Sequence, residues 1–248
     1  MTYYDRYCKG ECEQVHAEIL DLGTDAFAPE FFPDVDRVLT ETFLRVNHNL
    51  CVIHGELLDI DYPFRETYRS PSEMPIHAPL PDTDALLVQL QSSVAQFGHV
   101  PFSLQYFYKL VGGVNFAWDP AKREPPWPLA DPLQIASLDS VVEEVTNESW
   151  HLRMQEILDH DFFGVSSLDL SADAYHKDNL SGGEAYTLQL TKKPSIDSEL
   201  LNEPNHTTFI AFLRISFDSC GFPGMARPGN PADFRKFCDI VLPKLKQI

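Results

Sequence analysis

The sequence predicts an α+β protein: a helical N-terminal extension (residues 1–62), a proline-rich linker (63–81), and an α+β domain (82–248) with a small antiparallel sheet flanked by helices. Three observations predict it. Apolar residues recur at helical spacing near both ends of the chain. Short runs between them alternate with period two. Five prolines from Pro63 to Pro81 interrupt any continuous element.

Taken in order, residues 4–22 and 33–59 read as two helices. In the second, Val35, Val38, Leu39, Thr42 and Val46 fall on one face, with Pro33 near the start. The stretch "YPFRETYRSPSEMPIHAPLP" can continue neither a helix nor a central strand, so it reads as a linker or an extended strap. Residues 84–97 read as a helix. Pro101 opens another, because a first helical turn does not use the N–H that proline lacks.

On that helix Leu104, Phe107, Tyr108 and Val111 share one face, and Gly112 supplies the conformational freedom to close it. After Gly112-Gly113, the residues Val114, Phe116 and Trp118 alternate with Asn115 and Ala117, which is strand period. "DPAKREPPWPLADP" is a loop, Leu133 and Ile135 mark a short strand, and Ser140 with Glu143 reads as a capping box for a helix through Val145. Leu168 and Leu170 mark a further strand, and Tyr186, Leu188 and Leu190 another. Asn205 or Thr207 is placed to cap a final helix carrying Phe209, Phe212, Leu213 and Phe217, with Gly221 as its stop.

The pieces "VPFSLQYFYKLVGGVNF", "DPLQIASLDSVVEEV", "GGEAYTLQL" and "TTFIAFLRISF", in this order, resemble the SUKH superfamily over residues 82–245. That superfamily includes fungal cell-wall-synthesis (Smi/Knr-type) regulators and bacterial immunity proteins. Val100 stands where the family usually has leucine before the proline, and the loop from Asp119 to Asp131 is long. Residues 1–80 lie outside the resemblance. The resemblance implies a non-catalytic protein-binding module, in bacteria often an antidote that covers a toxin. In it Pro101, Phe107, Tyr108, Gly112 and Gly113 form a structural motif, not an active site.

Charge narrows the partner. The formal net charge is -18, which suits neither nucleic acid nor an anionic membrane, since both depend on Lys and Arg. A basic protein is steered toward such a surface. The opening "MTYYDRYCKG" lacks a signal-peptide layout, no apolar run is long enough to span a bilayer, and five cysteines form no dense framework. A cytoplasmic protein is expected.

Chemical motifs are sparse. Cys8, Cys12 and His16 are candidate metal ligands, and "HNLCVIH" adds His48, Cys51 and His54. On one helix, however, positions i, i+4 and i+8 span about 12 Å of axis and do not converge on one ion. No metal or cofactor is expected. Asp159, His160 and Asp161 form an acid–base trio that an exposed turn explains as well.

The connection "LSADAYHKDNLSGGEAY" is longer than an ordinary hairpin loop. Asp173, His176, Lys177, Asp178, Asn179 and Ser181 in it are candidate partner contacts, as is Trp127 among its prolines. Three readings follow. The first is an acidic binding module, in its sharpest form an immunity protein neutralising a basic toxin. The second is a regulatory scaffold that binds through its N-terminal helices, separable from the first if deleting residues 1–62 removes binding and leaves a folded domain. The third is a cryptic metal protein or enzyme.

Overall fold

The computed structural model describes residues 1–65, 74–121, 126–160 and 165–248. The fold is α+β, as the periodicities predict. Helix α1 (Tyr3–Cys8) starts at a capping box in which Thr2 Oγ1 accepts from the Asp5 N–H (3.1 Å) and Asp5 accepts in return from the Thr2 N–H. The single helix expected over 4–22 is two, because Gly10 takes a positive φ and restarts the chain as α2 (Cys12–Asp21). Helix α3 (Phe32–Asp59) buries Val35, Val38, Leu39, Thr42 and Val46 as their spacing predicts, and Phe43, Leu50, Ile53 and Leu57 besides.

Strand β1 (Ile76–His77) lies within the proline-rich stretch and pairs antiparallel with β2 (Gly113–Asn115). Nearer α3 the same stretch runs along the chain after β2, where Phe64 bridges to Trp118 and the Arg65 N–H donates to the Ala117 carbonyl (2.8 Å). Of the two readings of this segment, linker or strap, its described residues follow the second.

Helices α4 (Thr83–Val94) and α5 (Phe102–Leu110) precede the doubled glycine. Gly112 has φ +100°, and a Cβ there would lie 2.6 Å from the Ala78 carbonyl carbon; a Cβ on Gly113 would enter the His77 ring. The pair therefore does two things: the first glycine turns the chain out of α5, and both let β1 approach closely. Val114, Phe116 and Trp118 are all buried.

Strand β3 (Gln134–Ile135) completes one antiparallel sheet in the order β1-β2-β3. Helix α6 (Leu138–Val145) begins one turn earlier than the expected capping box. Ser137 takes the N-cap position in extended conformation, so Ser140 and Glu143 lie inside the helix. Helix α7 (Glu148–Asp159), absent from the sequence reading, buries only Trp150 and Met154.

Strand β4 (Ser167–Ser171), the short helix α8 (Ala174–Lys177), β5 (Tyr186–Gln189) and β6 (Leu200–Leu201) follow. They form a second three-stranded antiparallel sheet, so the one small sheet expected is two. The Ala136 N–H donates to the Leu170 carbonyl (2.7 Å), joining the sheets at β3 and β4.

Helix α9 (Phe209–Asp218) has Thr208 at its N-cap in place of Asn205 or Thr207. Buried Asp197 accepts the Ile210 N–H (3.0 Å) at this terminus and the Ser103 hydroxyl (2.7 Å) from α5, tying two helix starts together. Helix α10 (Ala232–Val241) comes last, beyond the helix expected to be final.

Residues on both sides of the proline-rich stretch share one core. Phe43 of α3 meets the Phe107 ring edge-on at 6.3 Å, and Phe107 meets Phe209 at 5.6 Å. Asn49 of α3 exchanges hydrogen bonds with the backbone of Lys246 (2.8 and 2.7 Å), and Arg45 donates to the Gln247 carbonyl (2.9 Å).

Candidate partner-binding cleft

Strand alternation sends Leu168, Leu170, Tyr186 and Leu188 into the core and turns Ser167, Asp169 and Thr187 to the opposite face of the second sheet. Asp169, Thr187 and Leu201 are register partners across β4, β5 and β6 and form a row on that face. Helix α7 flanks the row with Arg153, Met154 and Ile157, and the chain after β6 adds Asn202 and His206. Together they enclose an open cleft of about 750 Å³. Its apolar surface comes from Met154, Ile157, Val165 and Leu201, and exposed Glu184 and Glu199 add negative charge at its border.

Arg153 is held loosely between two carboxylates, Glu144 (3.3 Å) and Asp169 (3.5 Å). Burial, and then the neighbouring Asp169 carboxylate, push Glu144 up to about 7, with Arg153 opposing the rise. The folded protein thus keeps a proton that the unfolded chain loses near 4.5. This contribution to stability is complete below 4.5 and disappears as pH rises through about 7. Glu144→Gln is therefore expected to flatten the pH dependence of the urea midpoint across that window and to raise the midpoint above it. A variant as pH-dependent as wild type contradicts the assignment.

The residues singled out in the sequence separate into two groups. Asp173 caps α8, accepting from the Tyr175 N–H (2.8 Å) and pairing with His176. Burial acts to raise its carboxyl, but these partners outweigh it and hold Asp173 below the usual carboxylate range. His176, Asn179 and Ser181 are exposed, as a contact role requires, together with Tyr175 and Leu180.

Lys177 and Trp127 are corrections. The Lys177 ammonium is 1 % exposed, donates to Asp131 Oδ1 (2.6 Å) and sits over the Tyr186 ring, while the Tyr186 hydroxyl donates to Asp131 Oδ2 (3.0 Å). This buried group braces the β4–β5 connection from beneath and leaves Lys177 nothing to offer a partner. Asp178, half-buried, uses Oδ2 to accept the Leu129 N–H (2.6 Å), which fastens the loop before β3 to the same connection. Trp127 lies in an aromatic cluster with Phe222 (4.9 Å), Phe234 (4.9 Å), Phe237 (5.4 Å) and Tyr62 (6.0 Å), and its indole N–H donates to Asp233 (3.2 Å). It is a core anchor.

Cys8 is exposed on α1, whereas Cys12 and His16 are buried on α2. His16 Nδ1 lies 2.6 Å from the Arg214 guanidinium and 3.0 Å from the Cys12 carbonyl, and Nε2 lies 3.2 Å from the hydroxyl of Thr42, which also reaches the Val38 carbonyl. Burial and the Arg214 charge hold His16 neutral, down to about 3. Both ring nitrogens are occupied by protein. Among the described residues no three His, Cys, Asp or Glu side chains are grouped to hold a metal ion. Asp159 ends α7, where Gln155 donates to it (2.9 Å), and His160 follows in extended conformation. Asp161 lies outside the described residues. Among the described residues no helix is long and apolar enough to cross a membrane.

Comparisons with protein-family profiles, curated proteins and solved structures returned no match.

Proposed function

We propose that this chain is a non-catalytic acidic module of the SUKH type that binds a basic protein. Its sharpest form is an immunity protein that neutralises a basic toxin. The observation that carries this reading is the cleft on the second sheet, where the apolar side chains of Met154, Ile157, Val165 and Leu201 are bordered by exposed Glu184 and Glu199 on a chain of net charge -18. Such a surface accepts an apolar side chain in its centre and lysine or arginine at its rim, and the long-range field steers a cationic partner toward it. The exposed tip of the β4–β5 connection adjoins the cleft through Glu184 and Ala185 and offers Tyr175, His176, Asn179 and Leu180 as further contacts. The buried Lys177–Asp131 pair beneath it limits the ordering cost of binding.

Tagged protein recovered from its native lysate is expected to retain one basic chain at low salt and release it at high salt. Recovery of a neutral or acidic partner indifferent to ionic strength contradicts the reading.

A further inference from the structure

One arginine stands in the way of a basic partner. Arg153 lines the cleft, whose described lining residues include no lysine and no second arginine. Its guanidinium lies between carboxylates from two elements, Glu144 of α6 and Asp169 of β4. A single nitrogen, Nη2, serves both, at 3.3 Å from Glu144 Oε1 and 3.5 Å from Asp169 Oδ2. Nη1 reaches the same Asp169 oxygen at 3.5 Å, so the two parallel bonds that arginine makes with a carboxylate are not formed.

These contacts are loose by the chain's own standard. Arg6 meets Glu11 at 2.8 Å and Arg45 meets Glu41 at 2.7 Å, and their side chains are only 18 % and 15 % exposed. The Arg153 side chain is 48 % exposed. Long ion pairs open to water contribute little, so little holds Arg153 in place. The two carboxylates are better covered, Glu144 at 34 % and Asp169 at 30 %, and are the costlier groups to leave without a cation.

Resting on the cleft as the binding face proposed above, we infer that Arg153 is an internal competitor at a guanidinium subsite, and that an arginine of the basic partner takes its place between Glu144 and Asp169. The exchange leaves neither carboxylate unpaired, because one guanidinium replaces another, and half-exposed Arg153 swings into solvent. The arriving side chain enters from the open side, lays its aliphatic stem along Met154 and Ile157, and can meet both Asp169 oxygens. A planar fork suits two carboxylates on different elements; a lysine ammonium, a point charge, matches them less well. Arg153 thereby sets specificity. A partner with a well-placed arginine displaces it, and other cations meet its positive charge.

The probe is a fluorescently labelled peptide of alternating leucine and arginine, with lysine and citrulline versions. It is titrated into the full chain at low salt and about pH 8, above the Glu144 value of about 7. Arg153→Gln is expected to bind the arginine peptide about tenfold more tightly than wild type, with a smaller gain for lysine and none for citrulline. Adding Asp169→Asn to Arg153→Gln should abolish the gain. Lys236→Gln removes the same charge from an exposed position on α10 and should change affinity less than about twofold. Because Arg153 is half-exposed its replacement should leave the fold intact, which the urea midpoint checks. Equal or weaker binding by Arg153→Gln, or a gain matched by Lys236→Gln, overturns the inference. If Glu184→Lys/Glu199→Lys still weakens binding in that case, the cleft reading stands and only the exchange fails. No binding by any of these proteins, or binding indifferent to Glu184→Lys/Glu199→Lys, removes the reading and the inference together.

Discussion

A chain beginning at residue 63 is expected not to fold. Helix α3 alone buries eight apolar side chains: Val35, Val38, Leu39, Phe43, Val46, Leu50, Ile53 and Leu57. At roughly 1.5–3 kcal/mol for each fully buried large side chain, losing these eight forfeits about 12–24 kcal/mol, comparable to or larger than the ~5–15 kcal/mol that separates a folded domain from its unfolded chain. Removing it also strips the faces it covers, among them the Phe107 ring on α5, and takes away the side chains that hold Lys244, Lys246 and Gln247. Near-ultraviolet circular dichroism and urea titration check this. A cooperative transition with native-like aromatic bands contradicts it. Deletion of residues 1–62 is thus a poor test of binding through the N-terminal helices, because it removes the core as well. Substituting exposed α3 side chains such as Leu44 and Leu58 tests that reading without this penalty.

Lys177→Met is expected to cost about 3–5 kcal/mol, the usual penalty for leaving a buried carboxylate without its cation. Asp131 is 1 % exposed, and after the substitution, among the described residues, the Tyr186 hydroxyl alone would still donate to its carboxylate. The companion Lys177→Met/Asp131→Asn removes both charges. Asparagine suits the positive φ of 53° at that position and still accepts from Tyr186, so the double variant should lose clearly less than the single one. Urea unfolding of the three proteins gives the comparison. Equal losses for single and double variants would mean that packing of the lysine stem, not its charge, holds the connection in place.

The features legible in the sequence are those written in neighbouring residues. Pro101, the face of Leu104, Phe107 and Tyr108, and Gly112-Gly113 encode a helix start, a buried side and an exit within thirteen residues, and the structure realises all three. Alternation marked β4 and β5 for the same reason. Helix α7 was hidden because only Trp150 and Met154 of its twelve residues are buried, too few to make a stripe. Helix α10 did carry a signal, Phe234, Phe237 and Val241 at i, i+3 and i+7, masked by the glycines and prolines just before it.

The misread site residues have a different cause. Lys177 looks like a surface lysine until Asp131, forty-six positions earlier, is brought beneath it. Trp127 among its prolines looks like a partner contact until α10 covers it. Long-range pairing decided both, and no local pattern contains it. The cleft was half legible: the polar positions of "SLDLS" and "YTLQ" mark a face turned away from the core, but not the helix that makes it concave.

The most direct test of the central claim is binding of the basic partner to charge-reversed protein. Glu184→Lys/Glu199→Lys changes two exposed cleft residues, and Glu30→Lys serves as an exposed control elsewhere on the chain. The cleft variant is expected to bind at least about tenfold more weakly at low salt and to lose most of the salt dependence, with the control unchanged. Equal affinity for the cleft variant, the control and wild type would place the partner elsewhere and contradict the account.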